Sequence, residues 1–241
     1  MLARLVAAGA MALCLAVGST GAQNPPKTRD EARVFLRNML DTQSGGTYPI
    51  LRQAYPSEYA AFEDELVTVF LDDAKTGNDM QVMIAQFEAR IAGRLTSQVK
   101  MAPDEDLVLL IKSQYRALKA LEQAHNVACY ELGEKGAVSA ASNPEVGLGP
   151  RPALHEFSRI SLKTGLAGRD RPTQHKRLTP AAYAKIAKTF EKRGGSREYL
   201  DLLNAGQTDQ AAPGFRCKQI VLFYEVLSEQ PAEVIGSFFN Q

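Results

Sequence analysis

The sequence predicts an all-α protein: a multi-helix, bundle-like domain in two lobes, with little or no sheet. Three observations lead there. Apolar residues recur at intervals of three and four through most of the chain, the spacing that lines one face of a helix. No run of alternating apolar and polar residues is bounded by hairpin turns, as half-buried strands would require. The apolar fraction is 45%, ordinary for a globular chain, so global disorder is excluded and one domain or two small ones can bury a real core.

The first 22 residues read as a secretory signal. Met1-Leu2-Ala3-Arg4 is a short positive start, and Leu5 to Val17 is an apolar run too short to span a bilayer. Ser19-Thr20-Gly21-Ala22 supplies the small residues of a cleavage site after Ala22. The alternative is a buried N-terminal helix. Asn24-Pro25-Pro26 argues against it by breaking the chain directly afterwards. Cys14 lies inside the apolar run behind the bulky Leu13, which does not suit a lipidation site, so it is expected to leave with the signal.

Residues 23–132 are expected to form an N-terminal helical lobe. Thr28 and Glu31 have capping-box spacing, opening a helix to about Gln43. Ser44-Gly45-Gly46 breaks it. Tyr48-Pro49 and Tyr55-Pro56 bracket a short segment that reads as a helical turn or a loop. From Pro56 to Lys75 a second stripe runs through Tyr59, Phe62, Leu66, Val69 and Phe70. After Thr76-Gly77, a third carries Val82, Met83, Phe87, Ile91 and Leu95. The strongest helix is Asp104 to Tyr130. Asp104, Glu105 and Asp106 follow Pro103 where the helix dipole favours negative charge. At ~1.5 Å per residue it would span roughly 40 Å, long enough for other helices to pack along it. Gly133 is expected to end the run.

Residues 133–152 read as a Gly/Pro-rich linker, and residues 153–241 as a C-terminal helical lobe. Ala153 to Lys163 gives a short helix of only fair periodicity, with breaks expected at Thr164-Gly165 and from Gly168 to Thr173. Thr179-Pro180 opens a helix with a cap and a first-turn proline. Ser196 caps a shorter one. Phe215 to Glu229 is strongly apolar, and its length favours helix over buried strand. Pro231 starts a last helical piece.

Two cysteines remain after signal removal, Cys129 and Cys217. In an oxidising compartment they read most simply as one disulfide. Two separate buried thiols are the alternative. The absence of a C-x-x-C spacing argues against a catalytic dithiol.

Charge is segregated although the net charge is only +1. Twelve Lys and Arg lie between Arg151 and Arg197, against Glu156, Asp170 and Glu191. Arg169, Arg171, Lys176, Arg177, Lys192 and Arg193 are the candidate anion-binding residues. The plainer alternative is that neighbouring acidic faces cancel this charge, or that solvent screens it. The partner in view is an unknown protein or an anionic envelope component. The absence of regular aromatic interleaving disfavours nucleic acid.

No catalytic residue, metal site or cofactor can be assigned. His125, His155 and His175 have no metal-binding spacing. Ser97-Gln98-Val99-Lys100 and Lys163-Thr164-Gly165 resemble penicillin-binding-protein signatures. Ser142-Asn143-Pro144 does not fit the third element, however, and the K-T-G of that family sits on a strand. The carboxylate runs at Glu63-Asp64-Glu65, Asp72-Asp73 and Asp104-Glu105-Asp106 point in different directions on a helix, so they do not converge as a glycosidase pair would. The expectation is therefore a periplasmic or secreted, non-enzymatic binding or interaction protein of the cell envelope, with a basic surface for anions. An envelope hydrolase with unassigned site residues is the alternative.

Overall fold

The computed structural model describes residues 26–72, 75, 77–135 and 149–240. Within them lie eleven α-helices and no strand. They are α1 (Arg29–Gln43), α2 (Thr47–Ala54), α3 (Pro56–Phe70), α4 (Gly77–Val99), α5 (Asp104–Ala124) and α6 (Asn126–Lys135). Then come α7 (Arg151–Asp170), α8 (Pro180–Lys192), α9 (Arg197–Ala205), α10 (Pro213–Ser228) and α11 (Ala232–Phe239). The all-α reading holds. The expected signal segment and positions 136–148 of the expected linker lie outside the described residues.

The caps form as the sequence suggests. Thr28 and Glu31 make a reciprocal capping box on α1, and Thr179 and Ser196 each accept a backbone N–H at the starts of α8 and α9. Such a cap is worth about 1 kcal/mol.

Two apolar cores result. The first is built from α1 to α4 around Tyr48, Tyr59, Phe62 and Phe87, with Phe62 stacked on Phe87 at 4.2 Å between ring centroids. The second runs from Val99 to Phe239 and is built mainly by α5, α6, α8, α10 and α11. Helix α7 serves both: Leu162 is buried in the first core, Leu154 and Phe157 in the second.

Several boundaries differ from expectation. The long helix stops at Ala124. His125 is extended, with φ −159° and ψ 98°, and α6 begins at Asn126. The cause is a cap hidden in the apolar stripe: His125 Nδ1 accepts the Ala128 N–H at 3.1 Å. The stripe itself continues across the break through Ala128, Cys129 and Leu132, all buried. Gly133 does not end the run. It lies within α6, where a Cβ would come 2.3 Å from Ile220 Cγ1, so it permits α6 to approach α10 closely. Residues 133–135 and 151–152 of the expected linker are helical. Thr164-Gly165 does not break α7 either. A Cβ at Gly165 would come 2.5 Å from Leu95 Cδ2 of α4, so this glycine serves helix packing. The segment Thr47–Ala54, left open in the sequence, is helical.

Candidate functional site

Cys129 on α6 and Cys217 on α10 are joined in a disulfide, with Cα atoms 5.4 Å apart and a sequence separation of 88. Both are fully buried. Beside the bridge lies a closed polar knot. Arg216, which precedes Cys217, stacks its guanidinium 3.6 Å from the ring centroid of Tyr130, which follows Cys129. One turn along α6, Glu134 accepts hydrogen bonds from Tyr199 Oη at 2.9 Å, Thr208 Oγ1 at 2.7 Å and Arg216 Nε at 3.2 Å. Arg216 Nη2 donates to Glu134 as well. Burial lowers the Arg216 pKa, and Glu134 more than offsets it; burial and then Glu134 push Tyr199 well above its usual range. A buried ion pair is tolerated when its remaining lone pairs are satisfied. Here the carboxylate is surrounded by donors, so the knot fixes α6, α9 and α10 together and has no free group for chemistry.

The first core contains a second buried acid. Glu88 is 2% exposed and takes a hydrogen bond from Tyr48 Oη at 3.0 Å. Burial raises its pKa to about 8, against the opposing effect of the Tyr48 hydroxyl. The surrounding rings of Tyr48 and Phe87 are themselves buried, so this carboxyl belongs to the core.

The basic segment divides into two populations. Arg169, at the end of α7, pairs with Asp170 at 2.7 Å and lies over the Tyr55 ring at 5.6 Å. Arg171 pairs with Asp106 at 2.9 Å. Arg193, the C-terminal cap of α8, pairs with Glu225 of α10 and with Glu229, the residue that caps α10. Lys176, Arg177 and Lys192 are exposed and make no ion pair among the described residues. Lys176 and Arg177 sit on the extended stretch between α7 and α8. That stretch is strapped to the α4–α5 turn: Thr173 N–H donates to the Met101 carbonyl at 2.7 Å, and His175 Nε2 lies 2.8 Å from the Ala102 carbonyl. Asp104 Oδ1 is 3.1 Å from His175 Nδ1 but off the angle of a hydrogen bond. The Asn240 side chain donates to the His175 carbonyl.

The short motifs find structural places. Ser97 Oγ donates to the Arg94 carbonyl within α4, and Thr164 Oγ1 donates to the Asp106 carbonyl. Lys163-Thr164-Gly165 is mid-helix rather than on a strand. No group of three or more His, Cys, Asp or Glu able to hold a metal occurs among the described residues, nor a helix long and apolar enough to cross a membrane. Neither the family models nor the curated proteins nor the solved structures include a match to this chain.

Two features escaped the site residues read from sequence. Lys185 and Lys188 share a face with Lys192, and the i, i+3, i+7 spacing could have revealed it. The Glu134–Arg216 pairing spans 82 residues, and nothing local announces it.

Proposed function

We propose that the protein is exported, periplasmic or secreted, and acts there as a non-enzymatic binding or interaction protein that engages an anionic component of the cell envelope. The observation that supports this reading is the Cys129–Cys217 bridge between two core helices. Such bridges persist in oxidising compartments and are rare where glutathione keeps thiols reduced. The signal-like order of residues 1–22 gives the route. The exposed, uncompensated cations Lys176, Arg177 and Lys192 support an anionic partner.

Fractionation of the native host, N-terminal sequencing of the purified protein and thiol labelling under denaturing, non-reducing conditions test it together. The expected result is a periplasmic or extracellular chain that starts near Gln23, has no lipid and has no free thiol. A cytosolic chain that retains Met1 and carries free thiols at Cys129 and Cys217 would refute export. A lipid on Cys14 would replace the soluble form with an anchored one.

A further inference from the structure

We propose that the outer face of α8, made by Lys185, Lys188 and Lys192, is a docking surface for an anionic lipid bilayer. The proposal rests on the envelope reading above and names the component that is bound.

The face follows from helix geometry. At about 3.6 residues per turn, positions 185, 188 and 192 fall on one narrow stripe. Ile186, Ala187 and Phe190 fall on the opposite side and are buried, with Phe190 packed edge-on to Phe223 of α10. The lysines therefore point away from the core by construction, and all three are exposed. None forms an ion pair among the described residues. The nearby acids are already engaged by arginines. Glu191 is bonded to Arg197 at 3.1 Å, and Glu225 and Glu229 to Arg193. Arg193 is shared by Glu225 and Glu229, and Arg197 by Glu191 and Asp201, so these pairs form among themselves and leave the three lysines unpaired.

The composition of the face selects the occupant. Protein interfaces are enriched in aromatic residues and Arg and depleted in Lys. This face has Lys as its only cation, and the large exposed apolar residues among the described residues, Val34, Phe35, Val82, Met101, Leu109 and Phe215, all lie on other segments. The exposed residues in the turn before Lys185, Ala181 and Ala184, are small, and the exposed Glu191 between Lys188 and Lys192 lies off the lysine stripe and is bonded to Arg197. Flexible ammonium groups on a level helix suit a dense layer of anionic headgroups, where each contributes about a fivefold gain in partitioning. Attraction of this kind fades beyond ~8 Å at physiological salt.

Co-sedimentation of the full mature chain with phosphatidylglycerol-containing vesicles, and with phosphatidylcholine vesicles, tests the proposal without reference to cellular location. The expected result is binding to the anionic vesicles alone, falling steeply as salt is raised. The Lys185→Gln, Lys188→Gln, Lys192→Gln triple variant should bind on the order of a hundredfold more weakly at an unchanged melting temperature, and the matching Lys→Arg triple should retain binding. A charge-matched control, Lys112→Gln, Lys163→Gln, Lys218→Gln, removes three exposed lysines from α5, α7 and α10. An equal loss in that control would overturn the α8 face in favour of net charge. No binding of the wild type at low salt would overturn the docking surface while leaving export untouched. Retention on immobilised polyaspartate, without vesicle binding, would assign the face to an acidic protein instead.

Discussion

Gly168 of α7 lies against Gln98 of α4 so closely that a Cβ at position 168 would sit 1.9 Å from the Gln98 carbonyl oxygen. The obstructing atom belongs to the backbone, so no side-chain rotation can relieve the clash. With Gly165 against Leu95 three residues earlier, this contact sets how near α7 comes to α4. Because α7 contributes to both cores, that distance also governs how the two cores are joined.

Gly168→Ala should therefore lower stability by about 1–3 kcal/mol, the range for overpacking a tight contact. Gly93→Ala is the matched control. Gly93 is exposed in the interior of α4 and would meet nothing within 4 Å, so the substitution should stabilise by roughly 1 kcal/mol through helix propensity alone. Urea unfolding of both variants measures the pair. Equal effects at the two positions would show that α7 can move off α4 at little cost.

The Cys129–Cys217 bridge closes a loop across a sequence separation of 88, for which the chain-entropy model gives about 4–5 kcal/mol as an upper value. Cys129→Ser should lose several kcal/mol, and the double Ser variant should lose about as much as either single one, since one interaction is being removed. Thermal unfolding of the three variants with and without reductant decides it. A melting temperature for the wild type that reductant leaves unchanged would remove the bridge from the stability account.

How much of this was legible in advance depends on the range of the interaction. The caps at Thr28, Thr179 and Ser196 are local, and sequence spacing located them. The disulfide was legible for a different reason: with Cys14 assigned to the signal, only two cysteines remained to pair. What failed was also local. His125 looked like part of an apolar stripe, because nothing in the periodicity distinguishes a buried imidazole from one whose Nδ1 caps the next helix. Gly133 and Gly165 looked like helix ends, because the sequence does not show that Ile220 and Leu95 lie opposite them. The candidate cations were legible as a surplus of charge. Which of them stay uncompensated depends on acids brought from far along the chain, such as Asp106 for Arg171 and Glu229 for Arg193.

Removing one half of the buried ion pair should cost more than removing both. Arg216→Met leaves Glu134 with Tyr199 and Thr208 but no counter-charge, and a lone buried carboxylate is expected to cost about 3–5 kcal/mol. The double variant Arg216→Met, Glu134→Gln removes both charges and should recover much of that loss. A double-mutant cycle by denaturant unfolding reads the difference directly. Additive losses would mean that Glu134 and Arg216 act independently.

Glu88 predicts a pH dependence whose sign is fixed. Its pKa is raised to about 8 in the folded protein from an ordinary value of 4.5, chiefly by burial. Below the ordinary value the carboxyl is protonated in both states, and its contribution to stability is fully present. Between the two values the unfolded chain releases the proton while the folded one keeps it, so stability falls by up to about 1.4 kcal/mol per pH unit. Above the folded pKa the loss levels off. His155 has its pKa lowered by burial, with Arg151 and Arg159 adding to the effect, and so it acts in the opposite direction as pH falls through the histidine range. Comparison with Glu88→Gln cancels that background, because the amide occupies the same space, can accept the Tyr48 hydroxyl and does not titrate. The variant should be more stable than the wild type at pH 8 and should lose its advantage progressively toward pH 5. Melting temperatures of both proteins across that interval are the measurement. Parallel curves would mean that the Glu88 carboxyl titrates alike in the folded and unfolded chains, and that its burial between Tyr48 and the aromatic core does not hold the proton.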